Sequence, residues 1–441
     1  MDIVTLLACC STLTTSVSLR HLAIIAQAIL TMTGRVTMSG ISRWSEEGGS
    51  YRTIQRFFAD KLPWHALKVK FFETHLFNPN HEYILAGDET IVSKSGKQTF
   101  GIDRFYSSLR GQVIRSLGFL VFSIVNVVEC QAYPLMCEQR IKEKSAKSPK
   151  TTKKKKKRKG KRGRPKGSKN KDKKEFKPSS ELKQLNEMLK ILLISLRLFV
   201  KIKYLALDGH FGNNQAVLMA QQNGLELISK LRKDTVLFEK YEGKDGGKGR
   251  KRKYGTRLRY DLMPLKYLQK SEQEGDEITN YYVGVFWHKE FAAPLKVVII
   301  VKLDLLKKKM GHAILFSSDE NLEWEKLINY YRLRFQIEFN FRDAKQHFGL
   351  EDFMNTTQKG VENASNLAFL MVLLSAKLLK NRNEKLIGIN DLKTHYRGAK
   401  YARWIIKKVL PNAEPILIKQ IIEEVGRLGS IHQAKSATSH A

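Results

Sequence analysis

Tyr83-Ile84-Leu85-Ala86-Gly87-Asp88 and Ile202-Lys203-Tyr204-Leu205-Ala206-Leu207-Asp208 are two short hydrophobic runs that each stop at an aspartate. Runs of this length bounded by Gly and acids read as buried strands. The functional crevice of an open sheet lies beyond its strand ends, where a carboxylate can stand in water on a rigid backbone. Either aspartate alone reads equally well as a turn residue. Together they suit a hard cation such as Mg2+, which takes one or two carboxylates plus water and phosphate oxygens. Two such ions ~3.5–4 Å apart activate a water or a 3′-hydroxyl and stabilise the leaving oxygen of a phosphodiester, and a third carboxylate normally completes the site.

Between these runs Leu117–Val128 is β-branched and long enough for one strand, closing in a turn near Asn126. Pro178-Ser179-Ser180 opens an amphipathic helix with Leu182, Leu185, Leu189, Leu192 and Leu196 inward. Gly224–Lys230 is a further strand, and from about Arg232 to Phe316 the chain is rich in strands and loops, including a basic glycine-rich loop over Lys244–Arg259. Helix then runs from Asn321 to about Phe348 and again from Val361 to Lys380. On that first helix Tyr331, Arg334, Glu338 and Lys345 fall, at ~100° per residue, within a sector of roughly 60°, and Arg342 joins them. Leu333, Ile337, Phe341, Ala344 and Phe348 flank this stripe as the buried side, and the rival carboxylate Asp343 points well away from it. Pairing of Glu338 with Arg334 and Arg342 across one helical turn accounts for part of the stripe. It does not account for the tyrosine or the distal lysine.

The spacing Tyr331-x2-Arg334-x3-Glu338-x6-Lys345 resembles the YREK signature of DDE transposases from bacterial insertion sequences, in the insertion sequence 4-like group. Gly87-Asp88-Glu89-Thr90 is similar to that family's first-aspartate motif and Asp208-Gly209-His210-Phe211-Gly212-Asn213 to its second. Phe341–Gln346 with Leu350-Glu351-Asp352 is also similar, and the resemblance extends from about Ile41 to Leu379. It implies an α/β (α+β) fold: an RNase H-like mixed sheet flanked by helices, with Asp88 on the first strand and Asp208 on the fourth. A β-rich insertion, about 232–316, then precedes the helix that carries Glu338. It implies that Asp88, Asp208 and Glu338 are catalytic and bind two Mg2+ ions, with Mn2+ able to substitute. Tyr331, Arg334, Lys345 and Arg342 are then DNA-binding. The implied activity is cut-and-paste transposition: hydrolysis at the element's ends, often through a DNA hairpin, then joining to target DNA. The partners are double-stranded DNA, as terminal inverted repeats and as target, and a second copy of the chain that pairs two ends. Trp287 reads either as a base-stacking residue or as core, with core favoured, and His210 as a turn residue beside the metal site. Two further readings stay open: a non-catalytic DNA-binding protein, decayed or domesticated, and an RNase H-like nuclease without strand transfer.

Composition fits these readings. The 441 residues carry a formal charge of +35, which points to a polyanionic partner. About half of it lies in Arg140–Lys177, where 21 Lys and Arg face three acids with almost no apolar residue, the signature of a disordered insert. Within it Lys161-Arg162-Gly163-Arg164-Pro165-Lys166 looks like an AT-hook, with Arg162 and Arg164 reaching into an A·T-rich minor groove; a polycationic loop gripping phosphates is the plainer reading. This insert is longer and more basic than the family pattern. The first 80 residues read as helical: His21–Leu30, a helix capped by Ser39, and one capped by Ser50 with Tyr51, Ile54, Phe57 and Phe58 on one face and Arg52, Gln55 and Arg56 on the other. They serve either as a helix–turn–helix DNA-binding domain or as a packing domain. The expected organisation is thus 1–80 helical and DNA-binding, 81–380 catalytic, and 381–441 helical with a frayed tail. The C-terminal helices are candidates for the dimer contact. The longest uncharged apolar stretches, Ser116–Val128 and Asn363–Ala376, are shorter than a membrane span. With four cysteines, no C-x-x-C pair and no signal-like n-region, a reducing cytosol is the expected place; the resemblance implies that of a prokaryote, on the nucleoid.

Overall fold

A computed structural model describes the chain except residues 1, 46–47, 108–109, 143–171, 244–250, 382–387, 410–414 and 428–441. Helices α1 (Ile3–Leu7), α2 (Ser16–Thr31), α3 (Met38–Trp44), α4 (Tyr51–Ala59) and α5 (Trp64–His75) open it. Strands β1 (Tyr83–Ser93), β2 (Asp103–Ser107), β3 (Gln112–Asn126) and β4 (Gln131–Arg140) follow, then α6 (Ser180–Leu196), β5 (Tyr204–Leu207) and α7 (Asn214–Gln222). Next come β6 (Glu226–Leu231), β7 (Leu237–Lys240), β8 (Tyr254–Arg257), β9 (Leu268–Glu274), β10 (Glu277–His288), β11 (Leu295–Asp304) and β12 (Lys309–Ser317). The chain ends in α8 (Trp324–Leu333), α9 (Gln336–His347), α10 (Gln358–Lys380), α11 (Ile389–Val409) and α12 (Pro415–Arg427). This is the expected mixed α/β architecture with N-terminal and C-terminal helices. No helix among the described residues is long and apolar enough to cross a membrane.

The chain divides into two compact units. The first joins Met1–Gln139, Gln184–Asp208 and Ile328–Ala441, and the second joins Arg140–Lys183 and Gly209–Leu327. In the first unit β3 pairs antiparallel with β1, and β1 pairs parallel with β5. The β3–β4 connection turns where expected: the Asn126 side-chain oxygen accepts from the Val128 and Glu129 amides, and Cys130 adopts φ 53°. The leucines predicted to face inward on α6 are all buried. In the second unit β10, β11 and β12 form an antiparallel meander joined by β6, with β9 and β7 also on β10 and β8 on β7.

Asp88 does not end its strand. Its position pairs with Val121 and the ladder runs on to Ser93, because Thr90-Ile91-Val92 continue the extended chain with Thr90 and Val92 buried. At Gly87 a Cβ would meet Phe122 of β3 at 2.6 Å and Leu207 of β5 at 2.8 Å, so glycine lets three strands close up beside Asp88. The short β2, paired with the start of β3, makes the strand before Asp208 the fifth in the chain, not the fourth. The helix over Asn321–Phe348 is broken. Between α8 and α9 the amide bonds tighten, with Phe335 N–H donating to Arg332, Ile337 to Arg334 and Glu338 to Phe335. The cap of α3 is Thr37, whose hydroxyl accepts from Gly40, and not Ser39, whereas Ser50 caps α4 as expected. Part of the basic glycine-rich loop is strand β8, and the rest overlaps residues outside those described.

The N-terminal helices share a core with α10. On α4, Ile54, Phe57 and Phe58 are buried while Tyr51, Arg52, Gln55 and Arg56 are exposed. Asn363 of α10 is buried and donates to the carbonyls of Phe57, Phe58 and Asp60, closing the end of α4, and accepts from the Trp64 indole. One turn on, Asn366 accepts from Lys68, whose ammonium is fully buried; burial pulls its pKa from 10.5 down to about 8. Between those two values the unfolded chain holds a proton that the folded chain has lost, so the Lys68 contribution to stability rises with pH from about 8 to about 10.5. Urea unfolding across that window checks it. Wild type should gain on Lys68→Met as pH rises, and a difference that stays flat would contradict the assignment.

Candidate active site

Strand register builds the site. Leu85, Ala86 and Gly87 of β1 lie beside Leu205, Ala206 and Leu207 of β5 in parallel, so the next residue on each chain is an aspartate, Asp88 and Asp208. Parallel neighbours stand about 4.8 Å apart. The Asp88 carboxylate is oriented by the Glu89 amide, which donates to it at 2.8 Å. Helix α9 carries buried Ile337, Phe341 and Ala344; the Asn340 amide donating to the Ser123 hydroxyl of β3 ties it to the same sheet, and Phe341 edge-on to Phe369 ties it to α10. Upstream, the Tyr330 hydroxyl donates to Glu82 at 2.5 Å, anchoring the end of α8 at the foot of β1.

This packing brings most of the predicted residues together despite the helix break. Arg334, at the break, donates from Nη1 to Asp88 Oδ2 at 2.5 Å, and its Nη2 lies 3.9 Å from Asp208 Oδ1. The guanidinium carbon stands 5.8 Å from the centre of the Tyr331 ring. Burial pushes the Asp88 carboxyl up to about 6; the Arg334 guanidinium opposes the rise, while the charges of Glu338 and Asp208 add to it. Burial also raises the Tyr331 hydroxyl, with Asp208 and Asp88 near enough to contribute. The Lys345 ammonium is lowered by burial and raised in part by Glu351, 3.9 Å away, and by Glu338. Glu338 is exposed in the first turn of α9, where the helix dipole favours a carboxylate. Asp88, Asp208, Glu338, Tyr331, Arg334 and Lys345 therefore form one electrostatic cluster within the first unit.

Other predicted residues lie elsewhere. Arg342 pairs with Asp343 at 2.9 Å, packs over Phe339 and lines a cavity with His347 and Asp391, away from the two aspartates. Tightening the turn at Arg334–Phe335 upsets the single angular count across both helices. Arg162 and Arg164, with the AT-hook reading, lie outside the described residues. His210, in a short 3-10 turn, is exposed, with its Nε2 3.4 Å from Glu181.

The second unit holds a feature that sequence reading missed. A cavity of about 980 Å³ is lined by Lys173, Lys174, Lys251, Arg252, Lys253 and Lys289 together with Tyr254 and Trp287. Trp287 is half-buried, not core, edge-on to Tyr254, with the Lys253 ammonium 5.3 Å from its ring. Strands β7, β8 and β10 gather residues far apart in sequence, so the only linear signal was the basic loop itself.

The donor chemistry at the aspartates is that of a hard divalent cation: carboxylates alone, mutually repelling, beside water-exposed Glu338. Among the described residues no three Asp, Glu, His or Cys side chains converge closely enough to hold a metal ion as they stand.

A family model described as DDE superfamily endonuclease matches residues 9–282, a span that contains Asp88 and Asp208 and ends before Glu338. No curated protein matches the chain. Among solved structures, the cryo-EM structure of a piggyBac transposase synaptic complex with hairpin DNA is similar at a TM-score of 0.39 and 10% identity, over 97% of this chain and 80% of that one.

Proposed function

The chain belongs to the DDE superfamily endonucleases, and on that premise we propose that it is a divalent-metal-dependent DNA transposase of the insertion-sequence type. The observation that carries the reading is the β1–β5 register, which sets Asp88 beside Asp208 with the Glu338 charge in range. In this reading those three carboxylates hold Mg2+, which supplies an activated water and charge stabilisation at the leaving oxygen. The protein's own groups position the DNA. Arg334 and Lys345 offer cations to phosphate oxygens, and Tyr331 backs the guanidinium with its ring. Water adds to phosphorus at the element's end and the P–O3′ bond breaks, leaving a 3′-hydroxyl on the element and a 5′-phosphate on the flank. That 3′-hydroxyl then attacks a target phosphodiester, forming a new P–O3′ bond as the target's own P–O3′ bond breaks. The basic cavity of the second unit supports additional backbone contact. Exposed Trp404, Ile405, Ile416 and Leu417 on α11 and α12 support a contact with a second copy that brings two ends together.

The test is purified protein with duplex DNA carrying its own terminal inverted repeats. Mg2+ should produce nicks at the repeat ends and joined products with target DNA. Binding without cleavage under every divalent metal would sink the reading, and cleavage without joining would reduce it to a nuclease. Deleting residues 143–171, which carry most of the basic insert, should weaken duplex binding without abolishing cleavage. It should also flatten the salt dependence, by roughly 0.9 in log–log slope for each phosphate no longer neutralised. Complete loss of cleavage by the folded deletion would show that the insert belongs to the active site.

A further inference from the structure

Arg334 has the wrong company for a residue whose only task is to hold DNA. It is a mostly buried cation, 11% exposed, with one nitrogen on Asp88 and another facing Asp208, the two carboxylates that the proposed function assigns to the metal. Asp88 is 18% exposed and Asp208 48%, so the shorter of the two contacts is made to the more buried carboxylate. Its Nε is buried and makes no hydrogen bond, leaving a donor unused. No third carboxylate among the described residues joins the two aspartates closely enough to make a metal cage while the guanidinium is there.

We propose that Arg334 is a place-holding cation: it occupies the space between Asp88 and Asp208 until a DNA phosphate draws it out, so that metal loading is coupled to DNA engagement. The inference rests on the reading of those aspartates as metal ligands. A guanidinium and a divalent cation cannot both neutralise the same pair at short range. To leave, the fork gives up its 2.5 Å bond to Asp88 and the longer contact to Asp208; a phosphate offsets these, since it accepts two parallel N–H bonds and gives the unused Nε–H a partner, while the arriving metal takes over the two carboxylates. Once the guanidinium turns to the phosphate, its charge no longer stands between the two aspartates, and a metal can take its place where the scissile bond lies. Linkage makes the effect reciprocal: DNA raises metal affinity and metal raises DNA affinity by the same factor. The device keeps an endonuclease site shut in the absence of its substrate.

Mn2+ binding to the full chain, read from loss of the free-ion EPR signal, tests this without any cleavage. A short duplex should tighten wild-type Mn2+ binding by about tenfold or more, after subtraction of binding to the duplex alone. Arg334→Gln should bind Mn2+ about tenfold more tightly than wild type with no DNA, and the duplex should then add no more than about twofold. Arg342→Gln removes the same charge from the neighbouring helix without touching either aspartate and should leave the affinity near wild type. If Arg334→Gln does not fold, as judged by circular dichroism and melting, Arg334→Lys serves, because one ammonium cannot span both carboxylates. Equal affinity in wild type and both Arg334 variants, or an equal gain from Arg342→Gln, would overturn the place-holder while Asp88→Asn still weakened binding. Binding indifferent to Asp88→Asn in every background would instead remove the metal-ligand reading on which the proposal stands.

Discussion

Glu338→Gln lowers Mg2+-dependent strand cleavage by on the order of 10³-fold or more while leaving duplex binding and the melting temperature close to wild type. The carboxylate is exposed in the first turn of α9 and makes none of the bonds that hold that helix: Ile337, Phe341 and the Asn340–Ser123 hydrogen bond do so. Gln keeps the size and removes the charge, so the loss reports chemistry and not folding. Asp88→Asn and Asp208→Asn should lose comparable activity, but Asp88→Asn also takes the partner from the buried Arg334 guanidinium and so needs a stability control. Groups that act as one unit are not additive, so a double variant such as Asp88→Asn with Glu338→Gln should fall little below either single one. Quench-flow or gel kinetics on a pre-nicked end read all of these. A Glu338→Gln variant with a tenth or more of wild-type activity would remove that residue from the site.

The largest effect on stability is expected at Asn363. Its amide donates to three carbonyls at the end of α4 and its oxygen accepts the Trp64 indole N–H, all in buried surroundings. Asn363→Ala strands those groups together. At about 1–3 kcal/mol for each buried polar group left without a partner, and with some relief from relaxation, the cost should be about 3–5 kcal/mol. At roughly 2.1 cal/mol/K of unfolding entropy per residue, the thermal midpoint should drop by about 3–5 °C. Lys359→Ala, at an exposed position of the same helix, should cost no more than about 0.5 kcal/mol. A small effect of Asn363→Ala would mean that the N-terminal helices do not depend on α10 for their closure.

These two residues also mark what could and could not be seen in the chain. Asp88 and Asp208 were legible because short hydrophobic runs lead into both, and Glu338 because Tyr331, Arg334 and Lys345 stand at helical spacing from it. The direct pairing of the two aspartates was not legible, since it depends on parallel register between β1 and β5, more than a hundred residues apart. Asp88, after Gly87, looked like a strand end because the hydrophobic run stops there. In the fold that glycine answers to Phe122 and Leu207. The break at Arg334–Phe335 leaves the residue spacing untouched, and only the tightened amide bonds reveal it. Arg342 matched the stripe by angle, yet the neighbouring Asp343 claims it. Asn363 and Asn366 sat unnoticed at the start of an apolar helix, although an asparagine amid leucines and alanines is itself a sign of buried carbonyls that need a donor.

The proposed activity requires Asp88, Asp208 and Glu338 to converge on a divalent metal when DNA is bound. Iron-mediated cleavage of the protein itself tests that most directly: Fe2+ replaces Mg2+, and with ascorbate and peroxide it generates radicals that cut the backbone beside the bound ion. In the complex with duplex DNA, cuts should cluster at the segments around Asp88, Asp208 and Glu338, fade with excess Mg2+, and weaken in Glu338→Gln. Mg2+-sensitive cuts that map elsewhere, or none near any of the three, would contradict it.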